Sequence, residues 1–513
     1  MKALKKYKFL IAIVIILTLA VLSRFACLGM RPMHHDEGML SYFGWQLASE
    51  GNYSYTPQIH GPVLFYVQAL LFLVLKAGDW QARLGGAIFG VILVFLPFIF
   101  AKTIGKNRAI AISTIFLVSP IFLYFTRFVV HTSLAVVFWF AFLFAFKEFV
   151  KKPRVLPLYI SSVALAFAFG TSETTYIFMA AFVLSLIIAV FIAHRSAKKY
   201  WAGISKYFKE EYLDVISALF IFLFIWIALY SVGFTNSRSL TMSLPNPWDK
   251  DSSLGFWMAQ HKTHLGGQPW FYYLMLAAAY EFVALIGSIF ALIDSVRKRQ
   301  PFYLFLAILA VTVFAGFSIA GEKFPWLFLP SLLLMATLTG YYLGGNWRKF
   351  HIFSKFIWII LIIMSASIAF RLVFINHTDP VELAVYVQTP QVFQAKINEI
   401  NRACAEAPDK NCVLIDQKIS WPMSWSFRNI GTLVFASNYQ VQPSTKYIVI
   451  SNESADAQKP TGSWREETVK MRDWWVPTPC RQISCIKKYA DYFVSRKIWS
   501  EKGGYDVTIY NKQ

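Results

Sequence analysis

The chain has 513 residues, of which 57% are hydrophobic and 18% aromatic, while only 15% are charged. Soluble domains are typically about 45–50% apolar. The composition therefore excludes an ordinary soluble protein and predicts a multi-pass α-helical membrane protein. The net charge of +21 does not indicate a nucleic-acid partner here. Most basic residues lie in short loops between apolar runs, where they mark the cytoplasmic side and attract anionic membrane lipids.

Apolar runs predict about eleven transmembrane helices. The first run, residues 9–28, follows four lysines and has no good cleavage site, which indicates an uncleaved span with a cytoplasmic N-terminus. Ten further runs follow, at residues 82–104, 108–126, 132–150, 156–172, 174–193, 213–234, 271–294, 302–320, 324–345 and 354–375. If the spans alternate, every basic cluster between them lies in the cytoplasm, and the C-terminal region lies outside the cytoplasmic membrane.

One apolar stretch, residues 62–75, does not fit this count. A crossing there would move all later basic loops outside, so the charge pattern predicts that the stretch stays in the membrane interface or only dips into the membrane. It belongs to a first external loop, residues 29–81. A second external loop, residues 235–269, is long enough to be functional.

Polar residues collect on the external side of this topology. Several interrupt or end apolar runs, where charge is costly unless it lines a cavity. They are Asp36, Glu37, His60, Arg127, His131, Glu173, Glu322 and Lys323. The alternative for each one alone is a side chain that reaches the lipid headgroups. That alternative is weaker for Glu173, Glu322 and Lys323, which have almost no loop around them.

The stretch His34-His35-Asp36-Glu37, directly after the first span, is the densest of these groups. Neighbouring carboxylates and imidazoles at a membrane surface suit proton abstraction or metal binding. The simpler interpretation is that charged residues flank a membrane span.

Four motifs on this side resemble those of GT-C glycosyltransferases, in the same order. They are His34-His35-Asp36-Glu37-Gly38, Gln58-Ile59-His60-Gly61-Pro62, Ser119-Pro120 with Arg127 and His131, and Glu322-Lys323-Phe324-Pro325. The chain is similar to protein mannosyltransferases and lipid A aminoarabinose transferase. Trp421-Pro422-x-x-Trp425-x-x-Arg428 further resembles a prokaryotic flippase-activity-associated branch linked with N-glycosylation. Two positions depart from the family pattern: His60-Gly61 replaces a Glu-Lys pair, and His131 replaces an acid.

The resemblance implies an inverting glycosyltransferase. Its donor is a sugar on polyprenyl phosphate, and its acceptor is a protein, lipid or glycan. Asp36 is implied as general base, and Glu37 either orients Asp36 or forms a structural salt bridge. Arg127 and Lys323 are candidates to stabilise the leaving phosphate, with His60 third. His35, His131, Glu173 and Glu322 complete the expected substrate-binding set.

Two tryptophans of the second external loop, Trp248 and Trp257, are candidates to stack on a sugar. Their alternative role is as interfacial aromatics.

The sequence leaves two alternatives for a cofactor: a divalent metal ion or no cofactor at all. His34, Asp36, His60 and His131 offer ligands of the right type, but without the tight spacing of a sequence-encoded metal motif.

Residues 1–375 are thus predicted to form the membrane domain, and residues 376–513 a small extracytoplasmic α/β domain. The pairs Cys404/Cys412 and Cys480/Cys485 predict two disulfides, with a zinc site as the alternative. The aromatic clusters around Trp421 and Trp474 either bind glycan or seal this domain to the membrane domain.

Two other functions remain compatible with the sequence. One is a component that binds or flips lipid-linked sugars without chemistry. The other is a ligase or polymerase that joins lipid-linked glycans.

Overall fold

The computed structural model describes residues 2–263, 267–405, 411–436, 438–454, 459–478 and 485–513; the side chains of residues 2–6, 194–197 and 199 are not described. The N-terminal half is helical. Its helices are α1 (Lys2–Phe25), α2 (His35–Glu50), α3 (Val63–Leu75), α4 (Asp79–Ile99), α5 (Ala101–Ile104), α6 (Lys106–Val118), α7 (Pro120–Phe125), α8 (His131–Lys151), α9 (Val155–Phe169), α10 (Thr174–Ile192), α11 (His194–Glu210) and α12 (Tyr212–Tyr230).

The second external loop contains two short helices, α13 (Ser237–Ser243) and α14 (Ser253–Gln260). The last helices of the bundle follow: α15 (Tyr272–Tyr280), α16 (Phe282–Lys298), α17 (Pro301–Ile319), α18 (Leu329–Asn346) and α19 (Ile352–Phe370). A single π-helical turn, Arg371–Ile375, extends α19 toward the C-terminal region.

Eight helices in the described residues are long and apolar enough to cross a membrane. The α15–α16 pair, bent by 107°, raises that number to nine. The multi-pass helical fold is therefore confirmed. The count of eleven stays a prediction, because it needs the shorter helices α6 and α9 as crossings.

Two predicted segments differ in detail from the structure. The run at 271–294 is not one straight helix, because the chain bends at Glu281 between α15 and α16. The stretch 62–75 forms α3, whose 13 residues reach about 20 Å at 1.5 Å per residue. That length falls short of a hydrocarbon core of about 30 Å. The first external loop is thus largely a pair of packed helices, α2 and α3.

The C-terminal region contains a five-stranded sheet in the order β2-β1-β3-β5-β4. Its strands are β1 (Val413–Asp416), β2 (Thr432–Phe435), β3 (Tyr447–Ser451), β4 (Trp464–Trp474) and β5 (Gly503–Lys512), and its helices are α20 (Gln391–Cys404), α21 (Ser420–Ser426) and α22 (Cys485–Ser495). β1 runs parallel to β2 and β3, whereas β5 is antiparallel to β3 and β4. The α/β character of this region is confirmed. The boundary at residue 376 stays a prediction.

Cys404 and Cys412 form a disulfide. Cys485 is also disulfide-bonded, whereas its predicted partner Cys480 lies outside the described residues. A thiolate zinc site is therefore wrong for these three cysteines. Disulfides form and persist mainly in oxidising compartments, which agrees with an extracytoplasmic location for this region.

The first aromatic cluster seals the sheet region to the helical bundle. Trp425 is fully buried and donates from Nε1 to Asp79 Oδ1 at 2.8 Å. Arg428 stacks over the Trp425 ring at 3.7 Å and donates to the Ala77 carbonyl at 2.7 Å. These contacts fix the C-terminal region against the N-terminus of α4, beside the His34–Glu37 motif.

Candidate active site

The first turn of α2 places the acidic motif. His34 is the N-cap of α2: its Nδ1 accepts from the Asp36 backbone N–H at 3.1 Å, while Glu37 Oε2 accepts from the His34 N–H at 3.2 Å. This reciprocal pair satisfies amides that the helix itself leaves unpaired. The other ring nitrogen of His34 lies 2.9 Å from the Tyr386 carbonyl. Both nitrogens of His34 are thereby occupied.

Glu37 is enclosed and doubly paired. Its carboxylate accepts from Arg31 at 2.9 Å, from Arg83 at 2.9 and 2.8 Å, and from the Val129 N–H at 3.0 Å. Burial acts to raise the pKa of Glu37, but the two arginines outweigh it and lower the pKa to about 2. Glu37 stays ionised and ties α2 to α4, which corresponds to the salt bridge considered from the sequence.

Asp36 has the opposite environment. Its side chain is 29% exposed, and Oδ1 lies 3.1 Å from His35 Nε2. Burial raises the pKa of Asp36 to about 6, although Arg472 and His60 act to lower it. A carboxylate with that pKa is largely ionised at neutral pH and remains basic enough to take a proton.

A second polar group faces Asp36 from the other side of the site. His60 Nδ1 lies 2.8 Å from Glu173 Oε2, and Tyr55 donates to Glu173 Oε1 at 2.7 Å. Burial acts to lower the pKa of His60, but the hydrogen bond and charge of Glu173 raise it overall, helped by Glu322 and Asp36. The structure thus brings Asp36, His60, Glu173 and Glu322 into one electrostatic group.

His131 and Trp257 border this group. The His131 ring centroid lies 5.0 Å from that of His60. The Trp257 ring stacks on His60 at 4.7 Å, only 2° from parallel. Trp248, in contrast, is 91% exposed and takes no part in this arrangement.

The second external loop is held over the site by its own polar side chains. Ser239 accepts from the Tyr55 N–H at 3.0 Å, and Ser253 bonds the Tyr176 hydroxyl at 2.7 Å. His261 Nδ1 accepts from the Gly321 N–H at 2.8 Å. The loop therefore covers the His60 side of the site from both ends.

The two predicted phosphate-binding cations have other partners. Arg127 donates to the carbonyls of Ser23, Arg24 and Cys27, and its guanidinium lies over the Phe374 ring. Arg127 thus braces α1 and the turn that follows it. Lys323 is buried, its amine donates to the Ala320 carbonyl at 2.5 Å, and burial lowers its pKa.

Comparison with known proteins identifies the fold. Residues 59–226 match a family described as dolichyl-phosphate-mannose-protein mannosyltransferase, over less than half of the chain. ArnT from Cupriavidus metallidurans, solved with undecaprenyl phosphate, superposes with a TM-score of 0.64 at 15% identity, covering 88% of this chain and 95% of that one. The chain has the GT-C fold.

A second structure with the GT-C likeness is the oligosaccharyltransferase AglB from Archaeoglobus fulgidus, in complex with an inhibitory peptide and a dolichol-phosphate. It has a TM-score of 0.52 at 12% identity and covers 87% of this chain and 69% of that one. The sequence matches no curated protein. At such identities the structural likeness establishes the GT-C fold, and together with the family match it supports a glycosyltransferase.

Two further site residues of this GT-C chain lie in its C-terminal region and were missed from the sequence. Arg472 in β4 acts on His34, His35 and Asp36 through its charge. Tyr386 supplies the carbonyl that fixes His34. The sequence signal was a single arginine two residues before Trp474-Trp475, in a tail more than 430 residues from the acidic motif. Nothing in the sequence connects Arg472 with the His34–Glu37 motif, because the two are so far apart along the chain.

The donor atoms were tested for a divalent metal. The ligand atoms of His34, His35 and Asp36 lie within 4.8 Å of one another. The two hydrogen bonds of His34 occupy both of its nitrogens, so it is not free to bind an ion. His35 and Asp36 then remain as two donors, fewer than the three protein ligands typical of a catalytic zinc site. The His34–Asp36 group therefore offers too few free donors for a catalytic zinc site; a divalent metal that also uses His60 or His131 stays a prediction, and no step below uses one.

Proposed function

We propose that this protein is an inverting glycosyltransferase that moves a sugar from a polyprenyl-phosphate carrier to an acceptor hydroxyl or amide. The observation that carries the proposal is Asp36, a carboxylate that is 29% exposed and whose pKa burial raises to about 6, against the charges of Arg472 and His60. Its position at one end of a GT-C bundle agrees with a reaction at the membrane surface. The donor's isoprenoid tail stays in lipid while its phosphate and sugar enter the site.

The reaction is a single displacement. Asp36 takes the proton of the acceptor group, whose oxygen or nitrogen forms a bond to the anomeric carbon. The bond between that carbon and the phosphate oxygen breaks, and both of its electrons leave with the phosphate. Polyprenyl phosphate is released as a monoester, so negative charge grows on oxygen and requires fixed positive charge nearby. Attack opposite the leaving group inverts the anomeric centre.

The polar site is assigned to the outer face of the cytoplasmic membrane. Basic clusters such as Arg297–Arg299 and Lys151–Arg154 mark the other end of the bundle as cytoplasmic. The disulfide-bonded C-terminal region contacts the His34–Glu37 motif directly, so it lies on the same side as Asp36. On this basis the N-terminus is cytoplasmic and the sheet region is extracytoplasmic.

The acceptor side of the site is the His60–Trp257 face. The Trp257 Nε1–H is a buried donor without a partner among the described residues, and a sugar or acceptor oxygen would satisfy it. Protein, lipid and glycan acceptors all present such groups. The stacked ring of Trp257 gives a flat surface suited to a sugar ring.

The test is transfer by purified full-length protein from radiolabelled polyprenyl-phosphate hexoses to total membrane acceptors. Asp36→Asn keeps the shape but removes the base, and we expect it to lower transfer by about 100-fold or more. Asp251→Asn, an exposed acid in the second external loop, is the matched control and should transfer normally. Turnover at the wild-type rate in Asp36→Asn would contradict the base assignment.

The same experiment separates the two rival functions. A component that only binds or flips the donor would bind labelled donor in both Asp36→Asn and Asp251→Asn, and neither variant would transfer sugar. A ligase or polymerase would use only donors that carry an oligosaccharide, so single-hexose donors would remain unused.

A further inference from the structure

The cation with the largest electrostatic effect on the candidate base, Arg472, comes from the C-terminal sheet and not from the membrane helices. We propose, resting on the transferase function above, that Arg472 binds the phosphate of the polyprenyl donor and that the sheet region thereby completes the active site. Four features of the structure lead to this assignment.

The first feature is a β-bulge that turns Arg472 toward the site. In the β4–β5 ladder Lys470 pairs with Asp506 and Arg472 pairs with Tyr505, so Met471 is an extra residue. Without it, the alternation of a strand would place Arg472 on the exposed face with Lys470. The bulge instead places Arg472 on the same face of the sheet as Tyr505, whose ring centroid lies 5.8 Å from the Arg472 guanidinium. Bulges of this kind commonly re-aim a side chain near an active site.

The second feature is a strap that fixes β4 relative to the acidic motif. Gln388 and Asp473 exchange backbone hydrogen bonds of 3.1 and 3.0 Å, directly beside Arg472. The Gln388 side chain donates to the Pro32 carbonyl at 3.0 Å and accepts from Arg31 at 3.2 Å, and Thr389 donates to the Met33 carbonyl at 2.7 Å. The positions of Arg472 and Asp36 are therefore set by one continuous network.

The third feature is the unused hydrogen-bonding capacity of Arg472. Its Nη2 donates to the Trp421 carbonyl at 2.8 Å, while its Nε has no acceptor among the described residues. A buried arginine normally has its donors satisfied. A phosphate is the anion that a guanidinium fork engages best, through two parallel hydrogen bonds.

The fourth feature is the spacing between Arg472 and Asp36. Each group feels the charge of the other, but Asp36 forms its ion-pair contacts of 4.0 Å or less with His34 and His35 rather than with Arg472. An inverting displacement places the base and the leaving phosphate on opposite faces of the anomeric carbon. Arg472 acts on the base through its charge without forming an ion pair with it, which is compatible with a phosphate on the opposite face of that carbon.

Arg127 is the competing candidate, and its geometry is different. Three backbone carbonyls already accept its N–H groups. Recruiting it to a phosphate would break these hydrogen bonds, one of which is buried, and that loss is costly.

The test measures binding of undecaprenyl phosphate to the full-length protein in nanodiscs, with undecaprenol, which lacks the phosphate, as the reference ligand. We expect Arg472→Gln to raise the Kd for undecaprenyl phosphate about tenfold or more, and Arg472→Lys about threefold or more because the fork is lost. Undecaprenol binding should not change in either variant. Arg465→Gln, an exposed arginine on the same strand, is the matched control and should bind both ligands as wild type does.

Each outcome decides the question. A Kd within twofold of wild type in Arg472→Gln overturns the assignment, and if that variant fails to fold, the same result in Arg472→Lys does so. A parallel loss of undecaprenol binding also overturns it, because that result indicates undocking of the sheet rather than loss of phosphate recognition. Failure here is distinct from failure of the proposed function, which is measured by transfer in Asp36→Asn.

Discussion

Two adjacent carboxylates in α2 have opposite electrostatic environments. Glu37 is fully buried between Arg31 and Arg83, which hold its pKa at about 2. Asp36 is partly open, and burial without a close arginine raises its pKa to about 6. When the environments of two neighbouring acids shift their pKa values in opposite directions, the acid with the raised pKa is suited to exchange protons. The acid with the lowered pKa is suited to a structural ion pair. The same motif therefore supplies a candidate base and its anchor.

The raised pKa of Asp36 predicts an acid limit on transfer. Below pH 6 the carboxylate is protonated and cannot accept a proton, so kcat/KM should fall about tenfold for each unit of pH below 6. An aspartate at its usual value of 3.8 would keep full activity to about pH 5. The measurement is a pH profile of initial rates between pH 4.5 and 8. A profile flat down to pH 5 would show that another group acts as base.

Protein stability distinguishes this titration from acid unfolding. The pKa of Asp36 is higher in the folded protein than in the unfolded chain, so the folded state binds more protons between about pH 4 and 6. The contribution of Asp36 to stability is therefore fully present below pH 4 and is lost as the pH rises through 6. As the pH falls, activity decreases while the contribution of Asp36 to stability increases. Melting curves recorded at the same pH values serve as the control.

At the scale of elements, Glu37 joins the N-terminus of α2 to α4 and to the turn before α8. Its contacts with Arg31, Arg83 and the Val129 N–H link these segments through one buried carboxylate. Glu37→Gln removes the charge and leaves two buried guanidiniums without their counterion. Breaking a buried pair in this way typically costs about 3–5 kcal/mol, so we expect a clearly lower melting temperature in detergent. Glu50→Gln, at the exposed end of the same helix, should melt as wild type does.

The elements also show how far the sequence alone reaches. Hydropathy and loop charge suffice for most membrane helices, because each depends on a local run of residues. The motif that contains Asp36 is likewise local. The bend at Glu281, in contrast, involves a distant segment. The buried Glu281 carboxylate accepts from the Ser119 hydroxyl and from the Ile121 N–H of another helix. Contacts of that kind depend on packing between distant segments.

The same reason explains why the partners of the candidate cations could not be predicted from the sequence. Arg127 follows Ser119-Pro120 at the position that the family pattern favours, but its partners are carbonyls at the end of α1. Arg472 carries no motif, and only a bulge in the β4–β5 ladder brings it to the site. Residue type and order were sufficient to single out Asp36 as the candidate base. The direction of a side chain depends on backbone geometry that neither of them encodes.

At the scale of the whole molecule, the two ends of the bundle differ in chemistry. One end carries the acidic motif, the His60–Glu173 pair and the disulfide-bonded sheet region. The other carries mainly basic loops, among them Lys151–Arg154 and Arg297–Arg299. Because cytoplasmic loops of membrane proteins carry an excess of Lys and Arg, the proposed orientation has the basic end inward. In that orientation the site faces the compartment in which Cys404 and Cys412 are joined.

This orientation predicts which residues react with a membrane-impermeant maleimide in intact cells. Cys27 is the free cysteine among the described residues, so the background variant is Cys27→Ser. In that background Arg465→Cys, on the exposed side of β4, should be labelled before permeabilisation. Lys152→Cys, in the loop after α8, should be labelled only afterwards. The two positions control for each other, because leaky cells would label both. Labelling of Lys152→Cys alone in intact cells would put Asp36 in the cytoplasm, and a cytoplasmic donor would then be required.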